Sequence, residues 1–255
     1  MLICWKTQRA ADSSTRNKEN IMKLGIIGAM DVEVATLKDA MENKTEKTVA
    51  GSVYCEGTLE NLPVVIIQCG IGKVNAALCA QVLADQFAVT HIVNTGIAGS
   101  LNAKLDIGDF VISSEAVYHD FDVSVLGYRI GQVPGLAVRE FPADEMLLKL
   151  AFKVADSVCP GHVQIGTVAS GDQFVCSKEQ KQSIVANTNG LCTEMEGAAI
   201  AHTAWKNGVP FVVIRAISDK ADDSAEMDYP TFEAIAAKRC AEVTRAMAKT
   251  LAESK

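Results

Sequence analysis

Two patterns of apolar residues alternate along this chain from residue 23 onward. Short uninterrupted apolar runs, rich in β-branched residues, predict strands that are buried on both faces. Longer stretches with an apolar residue every three or four positions predict amphipathic helices. Strands that alternate with helices are typical of an α/β fold, and 255 residues suit one large domain of this class.

The predicted elements cover most of the chain after residue 22. Strands are predicted at 23–28, 49–59, 62–69, 91–94, 109–116, 163–170 and 211–219, and residues 191–196 are a lead-in to the helix that follows them. Helices are predicted at 29–41, 73–87, 144–158, 177–186, 197–205 and 229–251. The glycine-rich stretch 95–99 predicts either a plain turn or a strand exit whose backbone contacts a small ligand or forms an anion-binding nest. Residues 117–139 lack periodicity, and a loop this long inside a compact domain is usually functional or part of an interface.

The run at 211–219 carries two charged residues that do not belong in a buried strand. Arg215 lies in its middle and needs a partner, because an unpaired charge away from water is unfavourable. A structural ion pair with a nearby carboxylate explains Arg215 as well as a catalytic role does. Asp219 ends the run, and ligands of open parallel sheets bind beyond the carboxyl ends of the strands.

Other acidic residues stand where predicted helices begin. Glu33 lies in the first turn of the first helix, where it either suits the helix dipole or presents a carboxylate at the mouth of the turn. Glu194 and Glu196 precede the helix at 197–205. Solvated side chains are the default for this pair, and a shared face in an extended segment is the alternative.

Composition narrows the possible partners. The net charge of −7 argues against nucleic acid or an anionic membrane. The four histidines lack the spacing of zinc ligands and the eight cysteines form no C-x-x-C pair. We therefore expect no metal, no cofactor, and reduced thiols in the cytoplasm. No apolar run is long enough to span a bilayer. Residues 1–22 are polar and basic by comparison, which predicts a flexible extension before a folded domain at 23–255.

The chain lacks several common catalytic motifs. It contains no G-x-S-x-G, no Ser-His-Asp arrangement, and no G-x-G-x-x-G followed by an acid. What remains is several carboxylates, one arginine in a buried strand, and aromatic residues such as Phe174 and Tyr229. This set suits cleavage of a glycosidic bond, in which one acid protonates the leaving group and a second carboxylate activates water.

Seven short motifs are spread over almost the whole chain. They lie at 25–30 with Glu33, 70–73, 94–96, 118–120, 170–172 with Phe174, 194–196 and 215–219. Through them, residues 23 to about 252 resemble the 5'-methylthioadenosine/S-adenosylhomocysteine nucleosidases of the purine nucleoside phosphorylase superfamily. The resemblance implies a three-layer α/β/α fold around a central mixed, twisted sheet. It also implies hydrolysis of the N-glycosidic bond of both nucleosides, which releases adenine and the thioribose product.

The resemblance assigns roles around that bond. Asp219 would donate a proton to N7 of adenine, for which burial must raise its pKa, and Ser218 would orient it. Glu33 would be the base on the attacking water, and Arg215 would help to hold that water. Glu196 would accept hydrogen bonds from the ribose hydroxyls.

Further residues would form the pocket by the same resemblance. Met195 would lie against the ribose, Phe174 would stack on adenine, and the Val175 backbone would read the edge of the base. The pocket would also be lined by Met30, Ile71, Ile97 and Tyr229. The long loop would reach the partner subunit's site in a homodimer and form its alkylthio pocket with His119, Val123, Leu126 and Pro134.

Two positions depart from the family pattern. Ile97 stands where the family commonly has a hydroxyl residue that helps to hold the water. Leu126 replaces an aromatic residue in the partner-facing pocket. The first departure bears on water positioning and turnover, and the second on the preference among 5' substituents.

Three alternatives stay open at this point. A phosphate-dependent purine nucleoside phosphorylase shares the fold, but such enzymes usually place an arginine near the position of Glu33, where an acid repels phosphate. A nucleosidase for deoxyadenosine or futalosine-type substrates fits the same residues. A catalytically weak nucleoside-binding protein is the third alternative.

Overall fold

The computed structural model describes residues 22–222 and 225–254, so the prediction of a flexible extension falls almost wholly outside the described residues. The strands are β1 (Leu24–Gly28), β2 (Glu42–Val49), β3 (Ser52–Leu59), β4 (Leu62–Gln68), β5 (His91–Ser100), β6 (Phe110–Tyr118), β7 (Phe141–Pro142), β8 (Val163–Ser170), β9 (Cys192–Glu194) and β10 (Phe211–Asp219). The helices are α1 (Asp31–Asp39), α2 (Lys73–Gln86), α3 (Glu145–Val158), α4 (Lys178–Thr188), α5 (Gly197–Asn207) and α6 (Ala225–Glu253).

One mixed sheet contains all ten of these strands. Its centre is β5, which pairs in parallel with β1 and β10 and antiparallel with β9. From β10 the sheet continues through β6 and β8 back to β9, and from β1 it continues through β4 and β3 to β2. Since β1, β5 and β10 run in the same direction, their carboxyl ends meet at one edge, where ligands of such sheets bind.

Helices cover both faces of the sheet, which confirms the predicted three-layer α/β/α fold. On one face a core packs α2 and α5 against strand residues such as Ile67 and Val213. On the other face a second core packs α1, α3 and α6 against residues such as Ile66 and Ile214. Neighbouring residues of one strand therefore serve opposite cores, which explains why the central strands are continuous apolar runs.

The sequence pattern missed β2. Its residues, Glu42–Val49, are almost all exposed, and the strand pairs with β3 at the edge of the sheet. A strand that is solvated on both faces has no apolar residues to reveal it. The first helix accordingly ends at Asp39 and not at Met41, and β3 begins at Ser52 after a turn.

The predicted turn at 95–99 is wrong, because β5 runs through it to Ser100. Gly96 and Gly99 both pair with β10 within this strand. These glycines leave room beside the strand for side chains from other elements instead of ending it. The last helix also begins earlier than predicted, at Ala225. Helix α4 is capped by Ser177, whose side chain accepts a hydrogen bond from the backbone N–H of Gln180.

Candidate active site

A cavity of about 340 Å³ lies at the carboxyl-end edge of the sheet. Both carboxylates with a predicted catalytic role, Glu33 and Asp219, line it. Its lining also includes the predicted contact residues Met30, Ile71, Ile97, Phe174, Val175, Met195, Glu196, Ser218 and Tyr229. The cavity therefore brings together residues from the first turn of α1, the end of β5, the segment after β8, the start of α5 and the end of β10.

Glu33 is buried at the start of α1, and backbone amides hold both of its oxygens. Oε2 accepts hydrogen bonds from the N–H of Ala29 (2.6 Å) and of Met30 (3.0 Å), and Oε1 accepts one from the N–H of Ile97 (3.1 Å). Burial raises the pKa of Glu33, although Arg215 and these amides act in the opposite direction. A fixed carboxylate with a raised pKa is suited to take a proton near neutral pH.

Arg215 is fully buried and has a structural ion pair, as one of the two sequence hypotheses proposed. Its Nη2 bonds Glu194 and donates to Asn94 Oδ1 at 2.6 Å. Its Nη1 donates to the Ile214 carbonyl at 3.1 Å. Burial opposes the charge, but Glu194 and Glu33 outweigh it and raise the pKa of Arg215. Arg215 does not line the cavity, so it acts on Glu33 from behind the wall.

Glu194 is buried, so the default expectation that its side chain is solvated is wrong. It bonds Ser170 Oγ and Arg215, and Oε2 accepts from the N–H of Gly197 at 2.7 Å. Burial alone would raise the pKa of Glu194, but Arg215 and these hydrogen bonds lower it. The spacing along the chain could not reveal this role, because the arginine lies on another strand.

Asp219 lies at the end of β10, where two donors orient its carboxyl group. Oδ2 accepts from Ser218 Oγ and Oδ1 accepts from the N–H of Ala221, both at 2.8 Å. The carboxyl group lies beside Gly99, where a Cβ would be 2.7 Å from Oδ1. Gly99 therefore makes the space that Asp219 occupies.

Glu196 is buried directly before α5, so the solvated alternative is wrong for it too. Its Oε1 accepts a hydrogen bond from the N–H of Gly72 at 2.8 Å. Burial raises the pKa of Glu196 to about 8, and the nearby carboxylate of Glu194 adds to the rise. Sequence reasoning missed Gly72, whose contribution is a backbone amide and leaves no side-chain pattern.

Aromatic rings form the other side of the cavity. The ring of Phe174 meets that of Tyr229 edge to face, with centroids 5.6 Å apart. The Tyr229 hydroxyl contacts Met30 Sδ at 3.2 Å and Glu233 Oε1 at 3.1 Å, so it ties α6 to the start of α1. Phe174 is half exposed and lies at the mouth of the cavity, where a flat ligand could stack on it.

The four residues assigned to a partner subunit's site do not line this cavity. Leu126 and Pro134 are exposed on the segment after β6, and Val123 is partly exposed. His119 is buried, and its Nε2 has no hydrogen-bond partner within the described part of the chain. Burial lowers the pKa of His119. The structure thus separates these residues from the cavity of their own chain.

Neither a metal site nor a membrane-spanning helix is found among the described residues. Over residues 22–222 and 225–254, no three or more His, Cys, Asp or Glu side chains are grouped to hold a metal ion. None of the helices in that part of the chain has the length and apolar character needed to cross a bilayer.

Comparison with known proteins agrees with this geometry. A family model described as the phosphorylase superfamily matches residues 23–249. A 5'-methylthioadenosine/S-adenosylhomocysteine nucleosidase of Geobacillus thermodenitrificans (strain NG80-2) is 41% identical over 235 residues, which cover 92% of this chain and 99% of that protein.

Solved structures show the same likeness. The nucleosidase of this name from Neisseria meningitidis, in complex with methylthio-immucillin-A, is 37% identical with a TM-score of 0.86, covering 89% of this chain and 99% of that one. The futalosine hydrolase of Helicobacter pylori strain 26695 is 34% identical with a TM-score of 0.84, covering 89% and 97%.

Proposed function

The chain belongs to the phosphorylase superfamily and, within it, to the 5'-methylthioadenosine/S-adenosylhomocysteine nucleosidases, and from this membership we propose the reaction of its cavity. The protein hydrolyses the N-glycosidic bond of 5'-methylthioadenosine and S-adenosylhomocysteine. The products are adenine and the thioribose. The observation that carries the proposal is that two buried carboxylates, Glu33 and Asp219, line one cavity of nucleoside size.

The spacing of the two carboxylates supports cleavage between them. Glu33 lies against Gly96 and Asp219 against Gly99, which are three residues apart on β5. At about 3.3 Å per residue this places them roughly 10 Å apart along the strand. Such a distance leaves room for the bond between base and sugar, with Asp219 at N7 of the base and Glu33 beyond the anomeric carbon.

Water is the proposed nucleophile because the cavity suits an anion poorly. The ionisable side chains in its lining are acids and Tyr229, and no lysine or arginine of the described residues lines it. Arg215, which lies behind the cavity wall, is already held by Glu194 and Asn94. A phosphate would meet several carboxylates without a compensating charge. Glu33 takes the proton of the attacking water, and Arg215 favours the ionised form of Glu33.

The remaining residues of the cavity contact different parts of the substrate. Glu196 accepts from the ribose hydroxyls, and Met195 lies against the sugar. Phe174 stacks on the base, and the Val175 backbone reads its edge. The wall is completed by Met30, Ile71, Ile97 and Tyr229. The Ile97 side chain is apolar and faces the place where the attacking water binds. The backbone N–H of Ile97 still positions Glu33, which supports retention of catalysis despite the apolar side chain.

A homodimer in the cytoplasm is the proposed assembly and location. An exposed apolar groove of about 560 Å³ runs along α2 and includes Val74, Leu78 and Phe121. Leu126, which lies in the same segment after β6 as Phe121, is also exposed. A second copy of the chain would cover this face and receive Leu126, Val123, Pro134 and His119 at its own cavity. The seven cysteines of the described residues are unpaired, which supports a reducing compartment.

The decisive experiment follows free adenine from a substrate panel with and without phosphate. We expect release from both thioether nucleosides at a rate that phosphate does not change. Release that scales with phosphate and yields a sugar 1-phosphate would instead identify a phosphorylase. Deoxyadenosine and futalosine belong in the panel, because a solved futalosine hydrolase is among the similar structures.

Glu33→Gln separates an enzyme from a binding protein. The amide keeps the size of the side chain but cannot take a proton, so turnover should fall by roughly 10²- to 10⁴-fold while adenine still binds. If wild type and Glu33→Gln both bind adenine nucleosides and neither turns them over, the chain is a nucleoside-binding protein.

A further inference from the structure

Three sequence motifs have charged residues without a role in the proposed chemistry. They are Lys73 in the motif at 70–73, Asp120 in that at 118–120 and Asp172 in that at 170–172. The structure brings these three residues together, although they come from separate elements. Lys73 Nζ lies 2.6 Å from Asp120 Oδ2 and 3.6 Å from Asp172 Oδ2. We refer to Lys73, Asp120 and Asp172 as the Lys73 cluster.

Backbone amides join the same cluster, so it fixes chain segments as well as side chains. Asp172 Oδ1 accepts from the N–H of Lys73 at 2.8 Å. Asp120 Oδ2 accepts from the N–H of Asp172, also at 2.8 Å. The start of α2, the segment after β8 and the segment after β6 are therefore held at one point. Since the Lys73 side chain is largely buried, its ion pair with Asp120 is only partly screened by water.

The residue before Lys73 reaches the active site. The N–H of Gly72 donates to Glu196 Oε1 at 2.8 Å. Gly72 has a φ of +98°, a backbone conformation that residues other than glycine rarely adopt. A Cβ at this position would also lie 3.1 Å from Asp172 Oδ1. The direction of the Gly72 N–H thus depends on an unusual backbone conformation that Asp172 holds through the next amide.

We propose that the Lys73 cluster is a positioning device for the ribose contact: it aims the Gly72 N–H at Glu196 and so presents that carboxylate to the sugar hydroxyls. The inference rests on the proposed nucleosidase function. Lys73, Asp120 and Asp172 do not touch the substrate in this scheme. They act through Gly72, and their effect falls on the sugar and not on the base.

Loss of the lysine has a specific consequence. Lys73→Met leaves Asp120 and Asp172 facing each other without a cation, so the contact between their segments opens. Gly72 then no longer supports Glu196. The Gly72 N–H lowers the pKa of Glu196 against the effect of burial, so its loss moves that pKa upward. The ribose contact weakens, and it needs a higher pH to form.

The test compares Lys73→Met with Lys23→Met, a matched control. The Lys23 side chain is 23% exposed and ion-paired with Glu56, against 22% exposure for Lys73, but it lies far from the cavity at the start of β1. For each variant, kcat/KM is measured on methylthioadenosine and on its 2'-deoxy and 3'-deoxy analogues, across pH. Inhibition by adenine reports on the base site alone. The mass of each variant in solution is also measured, because Lys73 borders the apolar groove of the proposed homodimer.

The Glu196→Gln variant is measured first, to choose between the two deoxy analogues. Wild type should have a lower kcat/KM on the analogue that lacks the hydroxyl bound by Glu196, and Glu196→Gln should remove that difference from methylthioadenosine. This analogue is then used for the other variants. We expect wild type to prefer the ribose substrate over that analogue by roughly 10- to 100-fold, the range for hydrogen bonds to a charged group. Lys73→Met should reduce this preference about fivefold or more and move the acidic limb of the pH profile upward. Adenine inhibition should stay within about twofold. Lys73→Arg should recover part of the preference, and Asp120→Asn should give an intermediate loss.

Failure of this inference differs from failure of the proposed function. A wild type that releases no adenine from either thioether nucleoside overturns the function. A wild type that is active, with Lys73→Met keeping the same preference and pH profile as Lys23→Met, overturns the positioning role alone. If Glu196→Gln abolishes the disadvantage of neither analogue, the ribose contact does not exist and the positioning role also fails.

Discussion

Gly96 lies directly beside the carboxylate of Glu33. A Cβ at position 96 would overlap Glu33 Oε1 and would lie 3.2 Å from Arg215 Nη1. The absence of a side chain at this point of β5 therefore allows the base, its amide donors and the buried arginine to share one site. Gly99 has the same relationship with Asp219.

Gly96→Ala should displace Glu33 while leaving the fold intact. A displacement of about 1 Å in a catalytic group can lower the rate by roughly 10²-fold. We expect a fall in kcat of that order, with adenine inhibition preserved. The control is Gly25→Ala, whose new methyl group would meet only the Leu83 and Val89 side chains among its nearest atoms, at 3.1–3.4 Å. Equal losses in both variants would contradict a specific effect on Glu33.

Asp219→Asn should lower kcat by roughly 10²- to 10⁴-fold, because the amide cannot transfer a proton to the base. Ser218→Ala removes only the donor at 2.8 Å, and the N–H of Ala221 still orients the carboxyl group, so we expect a loss of about tenfold or less. Single-turnover measurements of adenine release would separate this chemical step from product release. An Asp219→Asn variant with wild-type rates would exclude Asp219 as the proton donor.

Glu196→Gln should change the pH dependence of stability. The pKa of Glu196 is raised to about 8, so the folded protein retains a proton that the unfolded chain loses near pH 4.5. This contribution to stability is complete below pH 4.5 and is lost as the pH rises to about 8. Thermal unfolding at pH 5 and pH 8 measures the effect. The variant should lose less stability than wild type between these values, and an identical decline would refute the shift.

Glu194→Gln should strongly destabilise the protein. It removes the charge that bonds Arg215 in the core, and breaking one side of a buried ion pair costs about 3–5 kcal/mol. Urea unfolding measures this loss. Glu145→Gln is the control, since its ion pair with Lys149 is exposed to solvent and contributes little to stability. Similar values for the two variants would mean that the buried pair is not structurally important.

Leu78→Glu should separate the proposed homodimer. Leu78 is 52% exposed and lines the apolar groove on α2, where a charge would be buried by a second copy. Sedimentation at several concentrations should show a monomer, with activity lost because His119 and Leu126 no longer reach a partner's cavity. Met146→Glu changes a residue that is 43% exposed on α3, across the sheet, and should stay dimeric. A wild type that sediments as a monomer would remove the homodimer from the proposal.

Much of the fold could be predicted because buried segments have a recognisable pattern of apolar residues in the sequence. The strand at 211–219 and its two misplaced charges were identified from apolar and polar residues alone, and β10 has these bounds. The family resemblance and the three-layer fold are confirmed. By contrast β2 is solvated on both faces, so nothing in Glu42–Val49 distinguishes it from a loop, and only its pairing with β3 defines it.

The site shows the same division. Arg215 and Asp219 were recognisable because a charged residue in an apolar run is rare and needs an explanation, whereas the roles of Glu33 and Glu196 came from the family resemblance. Their partners were not, since Glu194 and Arg215 are 21 residues apart, and Gly72 and Glu196 are 124 apart. The default that Glu194 and Glu196 are solvated was wrong for this reason.

The amino-acid sequence by itself determined most of the strands and helices and their order, the family, and the residue types available for chemistry. The tertiary structure alone decided which of those residues meet: Glu33 with Ile97, Arg215 with Glu194, and Gly72 with Glu196. The physical reason is that local patterns record whether a residue is buried. Hydrogen bonds and ion pairs depend on positions in space, which exist only after distant strands have paired.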